Sequence, residues 1–234
     1  MPDLDAAWFE RDPLELAPLL LGGVLSRADE SGTVALRLTE VEAYRGTDDP
    51  GAHTFRGKTA RNATMFRPGG HVYCYFTYGL HHAVNIVAGP EGSGWGVLVR
   101  AGEVIDGHSL ALERRSVRRA APPTGELARG PGNVAQALGA TLADDGAAFV
   151  SAAARTTTVG RGGPQARLET TWTFTPAAEP PPHRTGPRVG VSGPGGDASA
   201  FPWRFWIPGE PSVSAYRSAA RRSTGEAESQ RSPR

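Results

Sequence analysis

The stretch LRLTEVEAY at residues 36–44 limits what this chain can fold into more than any other feature. Its branched and aromatic content reads as a strand, and on a strand Leu36, Leu38, Glu40, Glu42 and Tyr44 share one face. Two leucines mark that face as the inner one. The carboxylates that follow are then carried towards the core or into a cavity cut into it. A carboxylate placed there is costly unless it is paired, protonated or engaged in chemistry. Glu42, next to Tyr44, is the candidate for chemistry.

At 234 residues, 39% of them hydrophobic, the chain can bury one substantial core and is short for two. The expected organisation is an N-terminal extension over residues 1–11, one domain over 12–216, and a tail over 217–234 with almost no apolar content, expected to be disordered. A formal charge of +1 excludes nothing, because charge is unevenly distributed. Acidic residues crowd the N-terminus, while RRSVRR at 114–119 supplies Arg114, Arg115, Arg118 and Arg119. A solvated helix face and a phosphate-binding patch are both compatible with that cluster. Cys74 is the only cysteine, which excludes an intramolecular disulfide, a Cys-rich zinc site and a CxxC motif and fits a reducing cytoplasm. The N-terminus is acidic and the apolar run at 19–25 is broken by Gly22 and Gly23, so neither a signal peptide nor a membrane span is expected.

Taken in order, Asp12-Pro13 opens a helix that Pro18 would kink or split and Gly22 ends. Residues 24–27 and 33–44 form a hairpin around the turn ADESG. Residues 45–68 read as a long polar loop carrying His53, of the kind that is usually functional or disordered. GHVYCYFTY at 70–78 and HAVNIVA at 82–88 are paired strands, with Tyr78 at the tip between them. WGVLVRA at 95–101 is a further strand containing Arg100, and the pattern from Glu103 to about Arg119 suggests a helix. Gly130-Pro131-Gly132-Asn133 leads into another helix, whose unpaired N–H groups form a seat for phosphate. Residues 147–152, 188–192 and 203–207 are strand candidates, and 155–187, rich in Gly, Pro and Thr, reads as a surface excursion. The class is mixed α/β (α+β), a single domain with a curved, mainly antiparallel sheet, flanking helices and a protruding hairpin.

Alone, each candidate residue has a bland reading: a strand Glu is usually an ion-pair partner, and strand tyrosines are usually core. Together, Glu42, Tyr44, Tyr73 and Tyr75 fall on the inner parity of two strands, with His53 in the loop between them. Aromatic faces around one carboxylate suit a flat, electron-poor ligand such as a damaged base. Tyr78 is a large aromatic where turns usually carry polar residues, and such a wedge can enter a base stack. His81 and His82 are adjacent and would point to opposite faces of a strand, which is poor ligand geometry for a metal.

Several motifs resemble those of the alkyladenine, or 3-methyladenine, DNA glycosylases. They are TEVEAY at 39–44, AH at 52–53, ARNATMF at 60–66, PGGHVYCYFTYGLHHAVNIV at 68–87, VLVRA at 97–101, GPGNVAQALG at 130–139, and RVGVS with PWRFW near the C-terminus. The resemblance spans roughly residues 14–214, in order. It implies base flipping followed by hydrolysis of the N-glycosidic bond of an alkylated or deaminated purine, with no metal or organic cofactor. By this likeness Glu42 is the general base, and Arg100 supports the catalytic water or a phosphate. Tyr44, His53 and Tyr75 sandwich the extruded base, Asn85 lies on the pocket floor, and Tyr78 fills the gap in the duplex. Arg61, Gly132, Asn133, Arg114 and Arg118 are candidate backbone contacts. The implied partner is double-stranded DNA holding damaged purines, met from the minor-groove side by a monomer at the bacterial nucleoid. The segment GPGGDASAF at 193–201 departs from the family pattern.

Three rival readings lead elsewhere. A combined glycosylase and lyase needs an amine for a Schiff base, and the chain offers Lys58, its only lysine, and Pro2 once Met1 is lost. Its opening MPDLD is similar to that of the formamidopyrimidine glycosylases, but those carry Glu directly after the proline and a four-cysteine zinc finger. Here Asp3 and a lone Cys74 stand instead. A non-catalytic damaged-DNA binder has no use for a buried Glu42, and a small-molecule hydrolase has none for Tyr78 or the arginine cluster.

Overall fold

The computed structural model describes residues 6–77, 81–117, 122–150 and 170–218. Helix α1 (Pro13–Leu20) starts as its sequence dictates: the Asp12 side chain accepts from the Leu14 N–H at 2.9 Å and Pro13 occupies the first turn. Pro18 does not split it. Strands β1 (Val24–Asp29) and β2 (Gly32–Arg45) form the expected hairpin, tighter than ADESG suggests, because Asp29 and Gly32 already pair. The Asp29 side chain accepts the Ser31 N–H across that turn at 2.9 Å.

Strands β3 (Val72–Thr77), β4 (His81–Ala88) and β5 (Trp95–Asp106) follow, then β6 (Ala128–Arg129), β7 (Thr171–Thr175), β8 (Arg184–Gly186) and β9 (Arg204–Trp206). The main sheet runs β3-β4-β5-β2-β1-β7, every neighbouring pair antiparallel. β9 pairs with β2 at Glu40, Val41 and Glu42, and β8 pairs with β9. α3 (Pro131–Leu138) packs on β4 and β5, α2 (His108–Ser116) on α3, and α1 on β2. Together these make a single mixed α/β domain. β2 is its axis: Leu36, Leu38, Val41 and Ala43 are all fully buried, so both faces of the strand are covered. Each such aliphatic chain contributes roughly 1.5–3 kcal/mol. Among the described residues no helix is long and apolar enough to cross a membrane.

The structure differs from the sequence reading in four places. β5 continues to Asp106 and α2 begins only at His108, because Val104 pairs with Leu36 in the sheet. Gly107 makes the break: its φ of 72° and a Cβ that would sit 2.1 Å from the Thr33 carbonyl oxygen admit only glycine. The surface excursion over 155–187 is corrected where it is described: Thr171–Thr175 is strand β7 on β1, with Trp172 and Phe174 in the core. Residues 188–192 are irregular rather than a strand, and 147–150 hold only isolated bridges at Ala148 and Phe149. Over the described part of the 1–11 extension, Phe9 is buried against Phe149 and Phe174.

Candidate active site

The long loop after β2 is stitched by one side chain. Asn62, buried in a 3-10 turn over Ala60–Phe66, accepts from Thr59 N–H at 2.6 Å and donates to the carbonyls of His53 and Gly57 at 3.1 Å each. A polar loop thereby gains the backbone partners a strand would have supplied, and His53 is fixed opposite β3. Its ring meets Tyr75 edge-on at 4.6 Å, and Tyr75 stacks on Tyr73 at 5.2 Å and 25°.

These residues face a cavity of about 440 Å³, within the range of small-ligand sites. Glu42, Tyr44, His53, Tyr75, Asn85 and Arg100 all line it, so the structure brings together the six residues expected to act on and hold the base. Asn85 on β4 pairs with Tyr73 on one side and Leu98 on the other, and its amide nitrogen donates to the Tyr73 carbonyl at 3.4 Å. Pro131 and Gly132, at the start of α3, form part of the rim beside His81.

Glu42 is wholly buried and is the only carboxylate among the described lining residues. The register of β2 against β5 shifts between Leu38 and Val41, and this irregularity separates two carboxylates that strict alternation would leave equivalent. Glu42 reaches the cavity; Glu40 does not. One Glu42 oxygen accepts the Tyr44 hydroxyl at 2.7 Å, the other the Val189 backbone N–H at 2.7 Å, and Arg100 lies 3.3 Å from that second oxygen. Burial, and then the Glu42 charge, push the Tyr44 phenol well above its usual range, so it remains a donor. Burial also pushes Tyr73 up to about 12, with Asp145 adding to it. Desolvation and the nearby Arg61 cation lower the His53 imidazole, which keeps it neutral near pH 7.

Behind Glu42 stands a second layer that sequence reasoning missed. Glu40, also wholly buried, accepts from Arg100 Nε at 2.8 Å, Arg204 Nε at 2.6 Å and Ser214 N–H at 3.0 Å. Burial disfavours the Glu40 charge, but Arg100 and Arg204 outweigh it and hold the carboxyl below its ordinary value. Burial likewise works against Arg100, and Glu42 and Glu40 overcome it. Arg188 grips Asp49 with both terminal nitrogens at 2.5 and 2.7 Å, and donates to the carbonyls of Ala43 and Gly195. The parity of 36–44 signalled Glu40; nothing local signalled Arg188 or the Val189 amide, which come from residues well over a hundred positions away in sequence.

Of the candidate DNA contacts, Arg61 is exposed and donates to the Phe76 carbonyl at 3.1 Å, beside the cavity. Asn133 donates to the Arg129 carbonyl at 2.6 Å. The Arg114 guanidinium is paired with Asp29 and the Leu138 carbonyl, at the opposite end of α3 from the cavity. It ties α2 and α3 to β1. Arg118 and Tyr78 lie outside the described residues. Among the described residues no group of three or more His, Cys, Asp or Glu converges as a metal would need.

A buried carboxylate held by three donors at the wall of an aromatic cavity of this size is the build of an enzyme acting on a flat heterocycle. The comparisons give that class a family. The model of the methylpurine-DNA glycosylase family matches residues 7–211, and the chain belongs to that family. Relatives in Streptomyces avermitilis and Leifsonia xyli are 48% and 47% identical, each match covering 92% of both chains. One in Corynebacterium glutamicum is 46% identical over 88% of this chain and 84% of its own. All three carry the name "putative 3-methyladenine DNA glycosylase". The protein is a DNA glycosylase, an enzyme that hydrolyses N-glycosyl bonds, and DNA is its substrate.

Proposed function

We propose that the protein is a monofunctional glycosylase of base excision repair, which turns alkylated or deaminated purines out of duplex DNA and releases them with a water activated by Glu42. The class includes 3-methyladenine, the base in its relatives' names, together with 7-methylguanine, hypoxanthine and ethenoadenine. The observation that carries the reading is Glu42, the one carboxylate on the described cavity wall, with its two oxygens held by Tyr44 and the Val189 amide. A carboxylate fixed in this way can take a proton from water as that water's oxygen bonds to C1′ and the C1′–N bond breaks. Such a base contributes on the order of 10²- to 10⁴-fold. The electron pair of the broken bond leaves on the purine, which departs neutral if it was cationic and needs a proton if it was not.

In this reading Tyr44, His53 and Tyr75 stack around the base. Asn85 on the floor hinders the exocyclic amine of undamaged guanine. Arg100 steadies Glu42 and its water, Tyr78 fills the vacated place in the duplex, and Arg61, Gly132 and Asn133 meet the backbone from the minor-groove side. Flipping costs a few kcal/mol and least for weakly paired, damaged bases, which adds selectivity. The monofunctional assignment is supported by the lining, which contains no lysine, and by Lys58, whose ammonium lies over the Phe66 ring.

Single-turnover base release from duplexes carrying hypoxanthine or ethenoadenine, and from methylated DNA, tests this, with strand scission followed separately. The expected result is release by the wild type with strands intact until hot alkali, and loss of release in Glu42→Gln with DNA binding retained. Tight binding of damaged duplexes with no release by the wild type would replace catalysis with damage binding.

A further inference from the structure

One buried cation in the site has no part in the mechanism above. Arg188 is fully buried, and its guanidinium carbon lies 4.6 Å from the centroid of the Tyr44 ring. It is also 5.3 Å from Trp203 and 5.6 Å from Phe201, and its Nε has no hydrogen-bond partner among these rings. Tyr44 and Val189 line the cavity, whereas Arg188 does not. The Tyr44 ring thus stands between a cavity that it lines and a buried cation that does not reach that cavity. Asp49, itself fully buried, is the counter-charge, and it also accepts the Gly51 N–H at 2.8 Å. A Cβ on Gly51 would sit 2.5 Å from Arg188 Nη2, so the guanidinium packs directly against the Gly51 backbone.

From this arrangement we infer that Arg188 and Asp49 set the balance between cationic and neutral damaged bases through the Tyr44 ring. The inference rests on the reading of Tyr44 as a wall against which the base stacks. An aromatic face attracts a cation through its quadrupole. A ring that already holds one cation on its far side offers a second cation less, and the two charges also repel across it. A base stacked in van der Waals contact with Tyr44 lies roughly 8 Å from the guanidinium. At that distance a charge of one sign favours or disfavours a charged base several-fold, while a neutral base of the same shape is little affected. 3-Methyladenine and 7-methylguanine in DNA carry a positive ring charge; hypoxanthine and ethenoadenine do not. In the wild type, Asp49 offsets Arg188, so the wall is nearly indifferent to the charge of the base. Both classes are then accepted, where an unshielded tyrosine cage would favour cations.

The test compares single-turnover release of 7-methylguanine and of hypoxanthine from otherwise identical duplexes, in wild type, Arg188→Gln, Arg188→Lys and Asp49→Asn. Dissociation constants of the same duplexes are measured with each change placed in a Glu42→Gln background. Arg188→Gln leaves Asp49 uncompensated and is expected to raise the preference for 7-methylguanine about 3- to 10-fold. Asp49→Asn leaves the cation uncompensated and is expected to shift it as far the other way. Arg188→Lys keeps the charge but loses the two-pronged grip, and is expected to hold the preference within about twofold of wild type while lowering stability. A purely structural role would depress both substrates together in all three variants. Ratios unmoved, or moved in the same direction by Arg188→Gln and Asp49→Asn, would overturn the inference; should Arg188→Gln fail to fold, the shift in Asp49→Asn decides alone. Failure of the underlying reading looks different: the wild type would neither release nor preferentially bind either lesion.

Discussion

Replacing Glu40 by glutamine probes how far Glu42 depends on a residue that never reaches the cavity. Glu40, at zero solvent exposure, receives Nε–H groups from Arg100 and Arg204 and, from Ser214, both the backbone N–H and the hydroxyl. An amide of the same shape keeps one acceptor oxygen and presents its NH₂ to a donor, leaving two buried guanidiniums with one fewer counter-charge. Removing one partner of a buried pair costs about 3–5 kcal/mol. For a chain of this length, that lowers Tm by roughly 10 °C. Chemistry suffers separately. Arg100 already stands 3.3 Å from Glu42, and without Glu40 it turns its whole charge on that carboxylate. Single-turnover release is expected to fall at least about tenfold, or about 1.4 kcal/mol. Urea unfolding and hypoxanthine release at a temperature where the variant is folded give the two numbers independently. The pH dependence has a definite sign. Because the Glu40 carboxyl is held below its ordinary value, its contribution is complete above about pH 4.3, the unfolded value, and is lost as pH falls through the folded one. The stability gap between wild type and Glu40→Gln should therefore narrow on acidification from pH 5 towards 3. A loss under about 1 kcal/mol with an unchanged release rate would refute the reasoning.

Tyr44→Phe removes the hydroxyl bond to Glu42 but keeps the ring, so release should slow by about tenfold with lesion affinity within about twofold, read from single-turnover rates and binding isotherms. Asn62→Ala unties three backbone groups of the His53 loop; a loss of about 2–3 kcal/mol in urea unfolding and weaker binding of lesion duplexes are expected. Gly107→Ala forces a Cβ into the Thr33 carbonyl at a φ of 72° and should cost more than about 2 kcal/mol, measured in the same way. Cys74 is buried and its thiol is pushed up to about 12, so alkylation by iodoacetamide at pH 8 should be negligible in the native protein and fast once it is unfolded.

What the sequence made legible was set by periodicity, and what it hid was set by long-range pairing. Alternation over 36–44 placed Glu42 and Tyr44 on one side, and the same logic on β3 brought Tyr73 and Tyr75 to the same cavity. Alternation could not reveal the register shift after Leu38, so Glu40 and Glu42 looked alike although only one of them meets the cavity. The Gly- and Pro-rich stretch before residue 188 carries little pattern, yet Thr171–Thr175 completes an edge of the sheet on β1, where Trp172 and Phe174 join the core and Phe174 meets Trp8 and Phe9. Arg114 shows a different limit: a basic run shows where charge is, and only the fold shows that Asp29 is paired with it.

The same contrast explains how this site is held. Every residue predicted to face the base lies on β2, β3, β4 or β5 or in the loop between β2 and β3, within 59 positions of one another from Glu42 to Arg100. The groups that hold Glu42, Glu40 and Tyr44 in place come mostly from beyond residue 187: Arg188, the Val189 amide, Arg204 and Ser214. Three buried carboxylates, Glu40, Glu42 and Asp49, are matched by three buried guanidiniums, Arg100, Arg188 and Arg204, two of which belong to that C-terminal stretch. A chain ending before Arg188 would lose the part of the cavity wall formed by Val189, Gly190, Val191 and Ser192, together with two of the three cations that make its charges tolerable. Closing the domain with its C-terminal segment and compensating its buried carboxylates are then one event, since β9 delivers Arg204 to Glu40 in the same register that pairs it with Glu42.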